Sequence, residues 1–277
     1  MSHRDVRISL VILTHNSATH IGACLASLLH NGPGSELDEV LVVDNGSTDG
    51  TAAILNTYID RHGPQMSVLW QSENIGTTRS RNLALRKARG QYIGVIDSDT
   101  VAPPSTLNSL LGILEKDETI GIVSPELVFP DGRVQLSADI FPTIPRKIQR
   151  YFRLRTLEAR ASARPTEDLI PVDYAISAFW IMGRGTVGRV GLFDENIFYA
   201  PEDADYCFRV WTGGLRVVQA KSVRAVHDAR ELSRSGRLNR ASIEHIRGLV
   251  YFFRKHRYCL SLKRVYPRMP LRHKPGQ

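Results

Sequence analysis

The chain has 277 residues, 42% hydrophobic and 23% charged, so it encodes an ordinary packed core, as one large domain or two small ones, and not a disordered segment. No run of 18 apolar residues is present, which argues against a membrane-spanning helix, and three dispersed cysteines (Cys24, Cys207, Cys259) argue against a disulfide framework or a zinc site. The formal net charge is +8, and 26 of the 36 Lys and Arg lie after position 145, so the second half suits an anionic partner.

The opening MSHRDVRISL has no long apolar stretch of the secretory type, and the expectation is a reduced, cytoplasmic protein. Ile8–Leu13 is a nearly continuous apolar run, as expected of a strand covered on both faces. THNS follows, and Asn16 or Ser17 can cap a helix that reaches about Leu29, where NGPG breaks it. A second strand, Glu39–Val43, ends in DNGSTDGT, and a helix follows over about 51–61. A short strand at Ser67–Gln71, a helix over 77–88 and a fourth strand at Tyr92–Ile96 come next. That strand runs directly into Asp97 and Asp99. Pro103 and Pro104 then mark the first turn of another helix. After about Val123 the pattern loosens into loops and a basic amphipathic helix within 126–170. It resumes with a strand over 174–182, helices near 184–190 and 204–212, a strand at 215–219 and a basic helix over about 240–255.

Alternating strands and helices with short links predict a mostly parallel sheet flanked by helices. In such sheets ligands sit at the carboxyl ends of the strands, where THN, DNGSTD, SENIG and DSD all fall. Two carboxylates separated by one residue can reach one divalent cation. Solvated loop acids or a helix cap are the competing reading of D-x-D.

ISLVILTHN, VLVVDNGSTDGT, SENIGTTRSRNLALRKARGQYIGVIDSDT and FYAPEDADYCFRVWTGGLRV, in this order over residues 7–228, resemble the family 2 inverting glycosyltransferases with a GT-A fold, which is Rossmann-like. The tail AVHDARELSRSG…GLVYFFRKH looks like the bacterial rhamnosyltransferase branch. The resemblance implies a glycosyltransferase domain over 1–228, with a nucleotide-binding half to about 125 and an acceptor-binding half after it, and a basic helical extension over 229–277. It implies that Thr14, Asn16, Asp44, Gly76, Arg81 and Asp97 hold the nucleotide-sugar donor. Asp44 is otherwise a helix cap, Gly76 a plain turn glycine, and Arg79 competes with Arg81. Asp99, with Asp97 and His227, would hold Mg2+ or Mn2+. Asp203, second acid of the ED pair, would be the base that takes the acceptor's proton, a role a carboxylate within hydrogen-bond reach can fill. Glu202, Asp205 and Trp180 would contact the acceptor, or the acids would cap their helix. Arg209 is placed to pair with one of them.

Donor and acceptor identities stay open between dTDP-rhamnose and a UDP-hexose or UDP-N-acetylhexosamine, and between a free and a lipid-linked saccharide, in bacterial surface-polysaccharide synthesis. An anionic membrane surface at the inner face of the cytoplasmic membrane is a candidate partner. Segments 146–164 and 254–274 would dock there, with Tyr151, Phe152, Tyr251, Phe252 and Phe253 as anchors. A dehydrogenase would need G-x-G-x-x-G after the first strand and a P-loop enzyme G-x-x-x-x-G-K-[ST], and neither is present. A nucleic-acid partner is disfavoured, because acids gathered at strand ends would repel phosphates. A non-catalytic saccharide-binding relative is the remaining alternative.

Overall fold

The computed structural model describes residues 6–29, 37–161, 167–229 and 240–272. Strands β1 (Ile8–Thr14), β2 (Glu39–Asn45), β3 (Met66–Gln71) and β4 (Tyr92–Asp97) alternate with helices α1 (Ile21–Leu28), α2 (Thr51–His62) and α3 (Thr77–Lys87). Then come β5 (Thr100–Val101), α4 (Pro104–Lys116), β6 (Ile120–Val128), β7 (Ala138–Asp139) and α5 (Ile144–Ala161). The second half continues with β8 (Leu169–Pro171), β9 (Tyr174–Ala175), β10 (Phe179–Gly183), α6 (Arg184–Val190), α7 (Glu202–Thr212), β11 (Arg216–His227) and α8 (Arg240–His256).

The main sheet has the order β3-β2-β1-β4-β10-β6-β11-β5, with β8 added beside β11. β1 to β4 are parallel, β10 runs antiparallel between β4 and β6, and β6 and β11 are parallel. Alternate residues of one strand face opposite layers. Ile8, Leu10 and Ile12 of β1 pack with Ile21, Leu25, Leu55 and Leu110 of α1, α2 and α4. Val11 packs on the other face with Leu85, Tyr206 and Phe252 of α3, α7 and α8. This is the mixed α/β sheet flanked by helices that the alternation predicts. The C-terminal segment belongs to the same core, because Phe252, Tyr258, Val265 and Met269 are buried in it.

Three local expectations are corrected. Neither Asn16 nor Ser17 caps α1 through its side chain; the helix starts after His20, and the Asn16 carboxamide holds Thr48 N–H instead (2.8 Å). Regular structure does not stop at Val123, since β6 runs to Val128 with every residue buried. Pro125 and Glu126 hide that strand in the sequence. Pro125 sits where β11 shifts register between Ala220 and Arg224, and Glu126 is neutralised by Lys221 and Arg224. The stretch 174–182 is also not one strand: it breaks at Ile176–Ala178 into β9 and β10, and the break carries Ser177 into the site.

Candidate active site

A cavity of about 750 Å³ opens at the carboxyl ends of β1, β2 and β4, where Leu13, Asn45 and Asp97 line it. Arg81 of α3 is its organising group. The side chain is 2% exposed and gives its guanidinium to Asp97 Oδ1 (2.6 Å), Glu202 Oε1 (2.9 Å) and Ser177 Oγ (2.6 Å). An arginine fork suits such a bridge, because its donors lie in one rigid plane. Arg79, by contrast, is exposed near Glu195, so the structure separates the two arginines.

Glu202 opens α7 beside Asp203, and both line the cavity. Burial pushes the Glu202 carboxyl up to about 7, with the neighbouring Asp203 charge adding to this and Arg81 and Ser177 opposing it. Burial also raises Asp203, while the Ala204 N–H (2.7 Å) and the charges of Lys147 and Arg150 pull it back. The bond to Ala204 uses Oδ1 alone, so helix capping does not consume the carboxylate.

β11 runs antiparallel to β5, which puts His227 opposite Thr100 and next to Asp99. One ligand atom from each of Asp97, Asp99 and His227 lies within 4.8 Å of the others. The donor set fits a divalent cation by two observations. Asp99 Oδ1 is buried without a properly angled hydrogen bond, although His227 Nε2 is 3.3 Å away. Burial pushes the His227 imidazole down, yet the Asp99 and Asp97 carboxylates outweigh this and hold it above the ordinary value, so positive charge is favoured here. Gln135 Oε1, 2.8 Å from Nδ1, fixes the ring so that Nε2 faces the acids.

Of the residues expected to bind donor, Gly76, Arg81 and Asp97 line the cavity. Thr14 is buried at the end of β1, Asp44 is 3% exposed and accepts from Ser47, and Asn16 is exposed with its carboxamide on Thr48; none of the three is among the lining residues. Asp49, not Asp44, holds the first turn of α2, by accepting from Thr51 N–H (2.9 Å). Gly76 has φ 92°, and a Cβ there would lie 2.7 Å from the Phe198 ring and carbonyl, so the glycine also lets the protein's own 193–201 loop pass close by.

Two acceptor assignments fail. Trp180 is fully buried on β10 and packs against Phe193 and Tyr206, so it is core. Asp205 is fully buried and bound by Arg209 (3.0 Å), Lys255 (2.7 Å) and His256 (2.8 Å), so it fastens α8 to α7. Phe252 is likewise core and no membrane anchor, whereas Tyr151 and Phe152 are 83% and 76% exposed. Part of the tail match, residues 230–239, lies outside the described residues. Sequence reasoning missed Ser177, Tyr199 and Gln135. Tyr199 stands just before PED and could have been weighed; Ser177 and Gln135 have no local signal.

The family model "Glycosyl transferase family 2" matches residues 9–170. The chain belongs to this family. The match spans Arg81, Asp97 and Asp99, while Glu202, Asp203 and His227 come from beyond it. The chain is 30% identical to chondroitin synthase of Pasteurella multocida over 57% of its own length and 17% of that protein. It is 27% identical to the pre-mycofactocin glycosyltransferase of Mycobacterium tuberculosis over 83% of its length and 44% of that protein. It therefore spans less than half of these curated relatives. GalNAc-T7, solved with UDP, GalNAc and Mn2+, superposes with a TM-score of 0.64 at 18% identity, over 84% of this chain and 45% of that one. The mannosyltransferase PcManGT of Pyrobaculum calidifontis, solved with GDP-Man and Mn2+, gives 0.61 at 24% identity, over 91% and 64%. The family 2 domain thus has the expected GT-A fold.

Proposed function

We propose that the protein transfers a sugar from a nucleoside-diphosphate donor to a saccharide or lipid-linked saccharide acceptor, with inversion. The observation that carries this is the Asp97–Arg81–Glu202 bridge, which holds the acids of β4 and the acids of α7 against one cavity. Asp97, Asp99 and His227 would hold Mn2+ or Mg2+, which supplies positive charge to the donor's diphosphate. Asp203 would take the proton of the acceptor hydroxyl as its oxygen bonds to the anomeric carbon. The bond from that carbon to the diphosphate oxygen breaks in the same step, and the electron pair leaves with the diphosphate. No enzyme-bound sugar is needed. Thr14, Asn16 and Asp44 remain proposed for the nucleoside.

For the donor we infer dTDP-rhamnose from the tail motif. A UDP-hexose or UDP-N-acetylhexosamine is the second reading, favoured by the UDP and GalNAc bound in GalNAc-T7. The basic second half, with exposed Tyr151 and Phe152, supports a peripheral site at an anionic membrane in the cytoplasm. No helix among the described residues is long and apolar enough to cross a membrane. Calorimetry with dTDP-rhamnose, UDP-glucose, UDP-N-acetylglucosamine and GDP-mannose, with and without Mn2+, tests the reading. One nucleotide sugar is expected to bind in a metal-dependent way that Asp99→Ala abolishes. Failure of all four with folded protein would overturn it.

A further inference from the structure

A second cavity of about 800 Å³ adjoins the first, and Ile176, Ala200 and Asp203 line both. Its walls are α5 and α8. α5 turns at Arg153, whose φ of −125° and ψ of 21° are not helical, and both sides of the turn face the cavity. Four cationic side chains line it, Lys147, Arg150, Arg153 and Arg155, while Asp203 is the one lining carboxylate among the described residues.

Lys147 is half-buried in this wall. Among the described residues its Nζ has one hydrogen-bonding neighbour, His245 Nε2 at 3.4 Å, and no carboxylate within ion-pair distance. His245 is held down to about 4 by burial and by the charges of Lys147 and Arg150, so it is a neutral acceptor. An ammonium has three donors, and two of these are left for a ligand. Arg150 is braced by Asp139 (3.3 Å) and Tyr174 (3.2 Å), which gives the subsite a fixed second cation. The rim is apolar: Tyr151, Phe152 and Ile246 line the cavity and are 83%, 76% and 55% exposed.

We propose that this cavity seats the acceptor, and that Lys147 with Arg150 binds a phosphate group carried on an alkyl chain. A neutral saccharide would leave Lys147 without an ion-pair partner. A uronate would supply one but leave the aromatic rim in water. An alkyl phosphate or diphosphate does both, with its chain on Tyr151, Phe152 and Ile246 and its sugar directed along the shared wall to Asp203. The inference rests on the proposed transfer at Asp203 and names the chemical class of its acceptor.

The test is calorimetry on the full chain with octyl diphosphate, octyl β-glucoside and methyl glucuronoside. Octyl diphosphate is expected to bind at least about tenfold more tightly than the other two, and Lys147→Met to weaken it by about tenfold, as loss of a charge-assisted bond does. The Kd of octyl glucoside should change less than about twofold in the variant. Equal binding of diphosphate and glucoside, or an unchanged Kd in Lys147→Met, would overturn the proposal. So would methyl glucuronoside binding as tightly as the diphosphate. Binding of phosphatidylglycerol vesicles without octyl diphosphate binding would also overturn it, in favour of a membrane surface. Should the Lys147 variant lose its far-UV circular dichroism, Arg150→Gln, at the second proposed phosphate ligand, repeats the test, and an unchanged Kd there is equally fatal. Donor titration with Mn2+ is run beside these: its failure in wild type removes the transferase reading, whereas the phosphate subsite stands or falls on octyl diphosphate alone.

Discussion

Asp203 is one of three residues that line both cavities, and its surroundings suit the role of base proposed for it. Burial raises its proton affinity, while the Ala204 N–H, Lys147, Arg150 and Arg81 keep the charged form accessible. A base must be ionised, so activity should fall as pH drops through its raised pKa, at a value above the ordinary carboxylate range near ~4. The pH profile of kcat/KM checks this, and an acid limb at the ordinary value would exclude Asp203 as the base. Asp203→Asn should lower kcat by about a hundredfold to ten-thousandfold. The donor Kd should stay within about twofold, because no charge on the donor side is removed. Loss of donor binding instead would place Asp203 on the other substrate.

At the scale of elements, the join between α7 and α8 rests on one buried acid. Burial alone would push Asp205 up, but His256, Arg209 and Lys255 outweigh it and hold its carboxyl below the ordinary range. Lys255 also bonds Asp194 (2.6 Å), which its partners hold low as well. Both folded pKa values lie below the unfolded ones, so their contribution is complete above the unfolded value and fades as pH falls through the folded one. Asp205→Asn should cost about 3–5 kcal/mol in urea unfolding near neutrality, since it leaves buried cations unpaired. The difference from wild type should shrink in acid; a constant difference would show that the pairing is not the cause. Elements were legible where one periodicity ran unbroken, as in β1 to β4 with their helices. β6 was not, because Pro125 and Glu126 read as a loop and only their partners on β11 make them tolerable in a strand. The acidic first turn of α7 was visible, but Asp205 and Asp203 look equivalent in sequence. Which one faces the cavity depends on a helix 50 positions away.

For the whole molecule, the bridge through Arg81 is the central tie, and its partners at Asp97 and Glu202 are 16 and 121 positions away. Arg81→Ala would strand the buried Glu202 carboxylate and the half-buried Asp97, and unfolding free energy should fall by about 3–5 kcal/mol. Arg81→Lys should recover only part of this, as an ammonium cannot copy the fork. A loss under about 1 kcal/mol in denaturant titration would mean that the acids relax to water instead. Motif spacing singled out Asp97, Asp99 and Asp203, whereas their assembly in one place was not legible, because it follows from β11 folding back along β5 and from the break that delivers Ser177.

The same bridge limits how such a protein can be recombined. The stretch that matches the family model ends at residue 170, before Ser177 and Glu202. A chimera built at that boundary would keep Arg81 and Asp97 while exchanging Ser177 and Glu202. It would inherit a guanidinium held by Asp97 alone unless the incoming half brings its own hydroxyl and carboxylate to the seam. Compatibility at this seam therefore turns on a lock of three side chains, and grafts that reproduce it are the ones that should fold.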